Sequence, residues 1–291
     1  MNQPPSLTLD HLAKRRQQAL DSGSLVPMDA ESHPLEERGL PYQARWISTL
    51  SLKIMAKALQ DGGEQQENPF LPYDPNLFVA HLPPAHVLIF NKFGISENHL
   101  LVITRGFESQ EAPVTPADFA AIAPLLGDLG GVLMFNGGTA AGASQPHKHF
   151  HLMPGRELPL AGYFNHLVSG GRLIRVPEFC FRHGLTALGL TPEMSAEDKA
   201  GMLQDACRAC LAMCELTPDS NGLMPPYNIL ASREWLLAVP RSATAWVDGD
   251  ARVHVHAMTF GGEVGVASEH QIDIVKNTGL LKILAATTVP G

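Results

Sequence analysis

Cysteine is scarce in this chain: four among 291 residues, at Cys180, Cys207, Cys210 and Cys214. That excludes a disulfide scaffold and fits a reducing compartment, so a cytoplasmic location is expected. Long apolar runs are missing too. No stretch approaches the ~18 consecutive apolar residues that a membrane span needs, and the first twenty residues lack the apolar run of a secretory signal; no membrane partner is expected. Positive charge is in deficit, with 21 Lys and Arg against 29 Asp and Glu and a formal net charge of -8. A general nucleic-acid binder carries a basic surface, so nucleic acid is excluded as a partner. A polyanionic ligand would need cations gathered locally against the global field. There is no internal repeat, no low-complexity tract and no Gly-x-Gly-x-x-Gly opening a helix. What is present is a 45% apolar composition, enough for one large core or two ordinary ones.

The apolar spacing predicts a helix over Leu7 to Leu20, stopped by Ser22-Gly23. A polar, proline-dotted link is expected from Pro27 to Pro41, then a mixed segment from Tyr42 to Ala58 and a loop over Asp61 to Asn68. Short strands are predicted at Leu77–Ala80, Val87–Asn91 and His99–Thr104. Thr115-Pro116-Ala-Asp118 opens a helix reaching Gly130, with Thr115 as N-cap and an acid in the first turn. Val132–Phe135 and His147–Met153 read as strands on either side of a glycine-rich loop, Asn136 to Ser144. Beyond about residue 160 a second unit is expected. It holds a helix capped by Ser195, a hairpin of Tyr227–Ala231 with Trp235–Val239, a strand over Val253–Phe260 and a last helix opened by Ser268. Strands and helices alternate without the β-α-β rhythm of a doubly wound sheet, so the class is α+β with antiparallel pairing. Cys207, Cys210 and Cys214 fall on one face of the Ser195 helix, where a buried contact explains them better than zinc.

The chemistry concentrates in Gly142-Ala-Ser-Gln-Pro-His147-Lys-His149-Phe-His151-Leu-Met-Pro154. Histidines at i, i+2 and i+4 of a strand point one way at ~6.8 Å intervals, while Phe150 and Leu152 point the other way. Three imidazoles beside a loop with three glycines form either a metal site or a phosphate-handling site. The metal reading needs a fourth ligand, for which His86, His99 and Glu97 are candidates.

The pattern His-x-His-x-His followed by two apolar residues resembles the signature of the histidine-triad nucleotidyl transferases and hydrolases. Asn68-Pro-Phe-Leu-Pro72, His86 to Phe93, Asn98 to Arg105, Phe107-Glu-Ser-Gln110 and the run from Asn136 to His149 are similar to one branch, the ATP adenylyltransferases or diadenosine tetraphosphate phosphorylases. Tyr227-Asn-Ile-Leu-Ala and Trp235 to Arg241 resemble the C-terminal domain of that branch. The resemblance implies a histidine-triad-like antiparallel sheet core with flanking helices over residues 1–160, and a smaller C-terminal α+β domain over 161–291.

It also implies a reaction: diadenosine tetraphosphate plus phosphate to ATP plus ADP, reversibly, through an adenylyl group on the middle histidine, His149. A backbone carbonyl bonded to one ring nitrogen would leave the other as nucleophile. His147 and His151 are expected to donate to phosphate oxygens and to the leaving polyphosphate. By the same resemblance Asn136, Gly142, Ala143, Ser144 and Gln145 would hold phosphate and ribose. Lys53, Asn91 and Lys92 would contact substrate, and Phe260-Gly261-Gly262 would close over the nucleotide. The expected partners are therefore diadenosine tetraphosphate, ATP, ADP and phosphate. No covalently bound cofactor and no protein-held metal are expected, and a divalent cation such as magnesium would accompany the nucleotide. One position departs from the branch. Where it usually carries glutamine two residues past the nucleophile, this chain has His151, as the hydrolases do. A hydrolase releasing AMP therefore stays open beside the phosphorylase, and so does a non-catalytic metal- or nucleotide-binding protein.

Overall fold

A computed structural model describes residues 7–47 and 68–291. Lys53, most of the mixed segment to Ala58 and most of the loop from Asp61 lie outside the described residues. The first helix, α1 (Leu9–Asp21), is capped by Thr8, whose side chain accepts from the His11 N–H. The residues expected to form a polar link instead make a hairpin, β1 (Ala30–Glu37) and β2 (Leu40–Ile47). Arg38 and Gly39 form its two-residue turn at φ 53 and 79, the positive-φ pair such turns require. Pro34 is tolerated because β1 is an edge strand.

The central sheet has eight strands, all paired antiparallel. They are β3 (Phe78–Leu82), β4 (His86–Phe90), β5 (Leu100–Thr104), β6 (Val132–Gly137), β7 (His149–Met153), β8 (Gly184–Ala187), β9 (Tyr227–Ala231) and β10 (Trp235–Pro240). Their spatial order is β3-β4-β5-β7-β6-β9-β10-β8. The histidine strand β7 thus lies inside the sheet, between β5 and β6. Strands from both sides of residue 160 share the sheet, because β6 pairs with β9 from Leu133↔Ala231 to Gly137↔Tyr227.

One face packs on α2 (Pro116–Leu129) and α4 (Ala196–Met213), with Phe150, Leu152, Leu126, Cys207 and Cys210 in a common core. The cysteines accordingly serve as small buried packing groups. The opposite face carries His149, His151 and Met153 and is covered by α3 (Ala161–Val168) and the C-terminal segments. These comprise β11 (Ala245–Asp248), β12 (Ala251–His254), α5 (Ala257–Phe260), β13 (Glu263–Val266), α6 (Glu269–Thr278) and α7 (Leu280–Ala285).

The strand expected over Val253–Phe260 breaks after His254. Ala257–Phe260 is a helical turn whose Ala257 N–H donates to Asn136 Oδ1 at 3.0 Å. β13 then runs parallel to β2, tying the N-terminal hairpin to the far end of the chain. The capping box of α2 forms as expected, Thr115 and Asp118 each bonding the other's backbone N–H. No helix among the described residues is long and apolar enough to cross a membrane.

Candidate active site

The site is built on β7 and the turn before it. His147 precedes the strand in an isolated bridge to Ser109, so the strand proper opens at His149. The His147 ring is fully buried and saturated. Its Nε2–H faces the Thr104 carbonyl at 3.0 Å and Thr104 Oγ1 at 2.8 Å, and Nδ1 accepts from Asn68 Nδ2 at 2.9 Å. This corrects the expectation that His147 donates to phosphate: both ring nitrogens are used inside the protein. What the arrangement does provide is a fixed His147 carbonyl.

That carbonyl accepts the Nδ1–H of His149 at 2.8 Å. The bond sets the His149 tautomer and leaves Nε2, which has no hydrogen-bond partner among the described residues, with its lone pair available. Burial pushes the His149 imidazole down to about 4, against the opposing pull of the bond to the His147 carbonyl. At neutral pH it is therefore uncharged. Phe70 covers it with ring centroids 5.1 Å apart.

Gln110 holds the His149 backbone on both sides. Its Oε1 accepts the His149 N–H at 2.8 Å, and its Nε2 donates to the carbonyls of His149 (3.2 Å) and Asn136 (2.8 Å). Gln110 thereby fixes the His149 strand to the mouth of the glycine-rich loop. Sequence reasoning gave it no role, since nothing local marks a glutamine that acts 39 residues away.

His151 shares the His149 face, and its Nδ1 lies 2.9 Å from His99 Nε2. Burial, then the neighbouring His149, His99 and His256, keep its imidazole well below the ordinary range. Asn91 lies just beyond, its Nδ2 3.4 Å from His99 Nε2. Lys92 follows it in sequence, its Nζ resting 5.6 Å from the Phe93 ring centroid. His256 was absent from the expected set. It packs against the loop, since a Cβ on Gly142 would stand 3.0 Å from the His256 Cβ.

Asn136 stands at the loop's root. Its Oδ1 accepts from Asn228 Nδ2 at 2.8 Å and from the Ala257 N–H, leaving its own Nδ2 for a ligand. Gly142 takes φ 93, a conformation that favours glycine, and Ser144 is exposed. The Phe260-Gly261-Gly262 segment does not fit its expected closing role. The Phe260 ring is fully buried against Phe181 and beneath Arg241. The Gly261 and Gly262 carbonyls accept from Leu160 and Gln43, so the segment is a packed turn that supports the site.

Beneath the strand, the fully buried Lys148 donates to Asp118 Oδ2 at 2.7 Å, and His86 meets Oδ1 of the same carboxylate at 2.7 Å. Burial works against the charge, but the bonds from His86 and Lys148 hold Asp118 at about 2. The cap of α2 and the histidine strand β7 thus share one buried ion cluster. His86, offered as a fourth metal ligand, is committed here. Among the described residues no group of three His, Cys, Asp or Glu side chains is arranged to hold a metal ion.

Two family descriptions match the chain in succession. Residues 1–164 match the Ap4A phosphorylase N-terminal domain and residues 177–290 the ATP adenylyltransferase C-terminal domain, Ap4A being diadenosine tetraphosphate. The chain belongs to the Ap4A phosphorylase family. It is a nucleotidyltransferase, and its reaction is the phosphorolysis of Ap4A. The chain is 26% identical over 253 residues to diadenosine 5',5'''-P1,P4-tetraphosphate phosphorylase 2 of Saccharomyces cerevisiae, covering 77% of this chain and 76% of the relative. Protein APA1 of the same yeast is 25% identical over 177 residues, 54% of each chain. The fold matches that of yeast Ap4A phosphorylase Apa2 solved with AMP, at TM-score 0.73, 21% identity and coverage of 97% and 96%. The Apa2 complex with Ap4A matches at TM-score 0.74, 19% identity and coverage of 97% of both chains.

Proposed function

We propose that His149 Nε2 attacks the α-phosphorus of Ap4A, forming a P–N bond as the P–O bond to ATP breaks. An oxygen of inorganic phosphate then attacks the same phosphorus, the P–N bond breaks, and ADP leaves with His149 neutral again. Atoms and charge balance as Ap4A plus phosphate to ATP plus ADP. The observation that carries this reading is the 2.8 Å bond from His149 Nδ1–H to the His147 carbonyl. It aims the free lone pair of Nε2 outward before attack and stabilises the positive charge that the ring acquires after it.

His147 acts by fixing that carbonyl. Asn136 Nδ2 and the backbone N–H groups of Ser144 and Gln145 face the phosphates and ribose, while the Gly142 and Ala143 N–H groups shape the loop by donating to the Thr139 and Gly138 carbonyls at 2.9 and 3.2 Å. Asn91, Lys92 and Lys53 supply further donors, Lys53 from outside the described residues. The ligands are AMP-containing nucleotides such as those named in the yeast complexes. A divalent cation such as magnesium accompanies the tetraphosphate as its counterion.

Incubation with α-labelled Ap4A should trap label on the protein that is acid-labile and alkali-stable, as a phosphoramidate is. His149→Ala should retain the fold and trap none. Raising phosphate should raise ADP output in step. Normal labelling of His149→Ala would remove the nucleophile assignment, and AMP output independent of phosphate would transfer the reaction to water.

A further inference from the structure

His151 occupies a position where a ring with two nitrogens must choose which one bears the proton. His149, its neighbour on the same strand face, has that choice made by the His147 carbonyl. Among the described residues no backbone carbonyl bonds the His151 ring; its Nδ1 instead meets another imidazole, His99 Nε2, at 2.9 Å. The two ring centroids are 5.2 Å apart and tilted by 44°, and the His151 and His149 centroids are 5.1 Å apart. Only one proton fits between His99 Nε2 and His151 Nδ1, so one ring donates and the other accepts.

The choice is decided at the far side of His99. Its Nδ1 is buried and has no hydrogen-bond partner among the described residues. If Nδ1 carried the proton, a buried N–H donor would be orphaned. If Nε2 carries it, only a lone pair is left unpaired, and that is the better tolerated of the two. Asn91 Nδ2 would favour the opposite tautomer, but at 3.4 Å it lies outside the range of about 2.7–3.2 Å in which N–H bonds are strong. His99 therefore donates through Nε2, His151 accepts at Nδ1, and the His151 proton sits on Nε2.

We propose that His99 is a positioning residue that fixes His151 as its Nε2–H tautomer, so that His151 offers a hydrogen-bond donor beside the nucleophile, as the glutamine usual at this position does with its amide. The inference rests on the reading of His149 as the adenylyl carrier, because the donor is useful only where a phosphate oxygen comes. His99 is the partner that a histidine at position 151 requires and a glutamine does not. A glutamine has its donor and acceptor on separate atoms, whereas an imidazole must be told which nitrogen to protonate. The other titratable groups packed on the pair are His149 and His256, and the His256 Nδ1 is also buried without a partner among the described residues. His256 makes no hydrogen bond to either ring.

The test has an arm that needs no activity. Long-range 1H–15N correlation of the ligand-free, 15N-histidine-labelled full chain at pH 7.5 reads each ring's tautomer, with His99→Gln and His151→Gln assigning the signals. Both His99 and His151 are expected protonated at Nε2 and bare at Nδ1. A His151 ring protonated at Nδ1 overturns the proposal, whatever the enzyme does.

The second arm is kinetic. His99→Phe should lower kcat on Ap4A by about tenfold or more, the scale of one lost charge-stabilising donor. His99→Gln, which keeps a donor amide, should recover most of it. In the His151→Gln background His99→Phe should cost little, because the glutamine needs no partner to set it. Equal losses in both backgrounds would make His99 merely structural and overturn the proposal. If wild type forms no adenylyl-histidine, the reading of His149 fails, and the tautomer measurement still stands on its own.

Discussion

Acid should unfold this protein through its buried histidines before it protonates His149. Burial holds His99, His149, His183 and His256 at about 4 in the folded chain, and His151 well below its ordinary range. Unfolded histidine titrates near ~6.5. Between these values the unfolded chain takes up protons that the folded chain refuses, so stability is fully present above about pH 6.5 and falls as pH drops toward 4. His183 illustrates the refusal. Its Nδ1–H donates to the Phe181 carbonyl and its Nε2 accepts the Val176 N–H, so protonation must break a buried bond.

Each of the four loses about 2 kcal/mol between pH 8 and pH 5, or about 8 kcal/mol together. Relaxation and water entry reduce this to about half, on the order of 4 kcal/mol, which is still a large share of the ~5–15 kcal/mol that holds a domain folded. Asp118, held at about 2, adds stability that is lost only below this window. Urea unfolding at constant ionic strength should give midpoints that fall steadily at pH 7, 6 and 5. The kcat of the folded fraction should stay level over the same range, since His149 remains neutral. A midpoint unchanged from pH 8 to pH 5 would refute the reasoning, and a kcat that falls with an apparent pKa near 6.5 would show that His149 is open to solvent protons.

Two further substitutions probe the scaffold around the nucleophile. Gln110→Leu removes the acceptor of the His149 N–H and both donors to the His149 and Asn136 carbonyls. It should lower kcat by about a hundredfold, the effect of a misplaced reacting group, and an unchanged kcat beside a lowered urea midpoint would reduce Gln110 to a packing residue. Gly131→Ala should destabilise the fold by about 3 kcal/mol. Gly131 has φ 84, and its added Cβ would fall 2.0 Å from the Met153 carbonyl; a urea midpoint equal to wild type would contradict that contact.

The parts of this site that were legible in the sequence are those a single segment encodes. Alternation alone puts His149 and His151 on one face with Phe150 and Leu152 opposite, because a strand has period two. The α2 cap was equally legible, Thr115 and Asp118 standing three residues apart. What escaped was assembled across segments. Gln110 and His256 come to β7 from a loop and from the turn before α5, and His99, named only as a candidate metal ligand, comes from β5's leading edge; no local pattern announces a partner 39 or 52 residues away. The β1–β2 hairpin was hidden for another reason. Only alternate residues of β1 are even partly covered, so its composition reads as loop, and Arg38-Gly39 was the one local signal of a turn. Val253 and Val255 suggested that a strand continued to Phe260, but Asn136 takes the Ala257 N–H and turns the chain into a helix.

The deficit of positive charge is resolved from beneath the loop rather than at its surface. Arg241 is almost fully buried, and no carboxylate pairs with it among the described residues. Its N–H groups donate instead to Asn228 Oδ1 and to the carbonyls of Ala141, Ala243, Val255 and Thr287. Burial lowers it to about 9, so it remains a cation at neutral pH. Bonding the Ala141 carbonyl from behind draws the oxygen end of that peptide inward, and the same cation adds its field to the loop. At an effective dielectric of about 20, a unit charge several ångströms away acts about four times as strongly as it does in bulk water. A lysine on the surface at that distance would be screened by salt, and a buried arginine is screened far less. With the neighbouring histidines uncharged, this buried cation, which has no carboxylate partner among the described residues, stands against the chain's net charge of -8 beneath the glycine-rich loop.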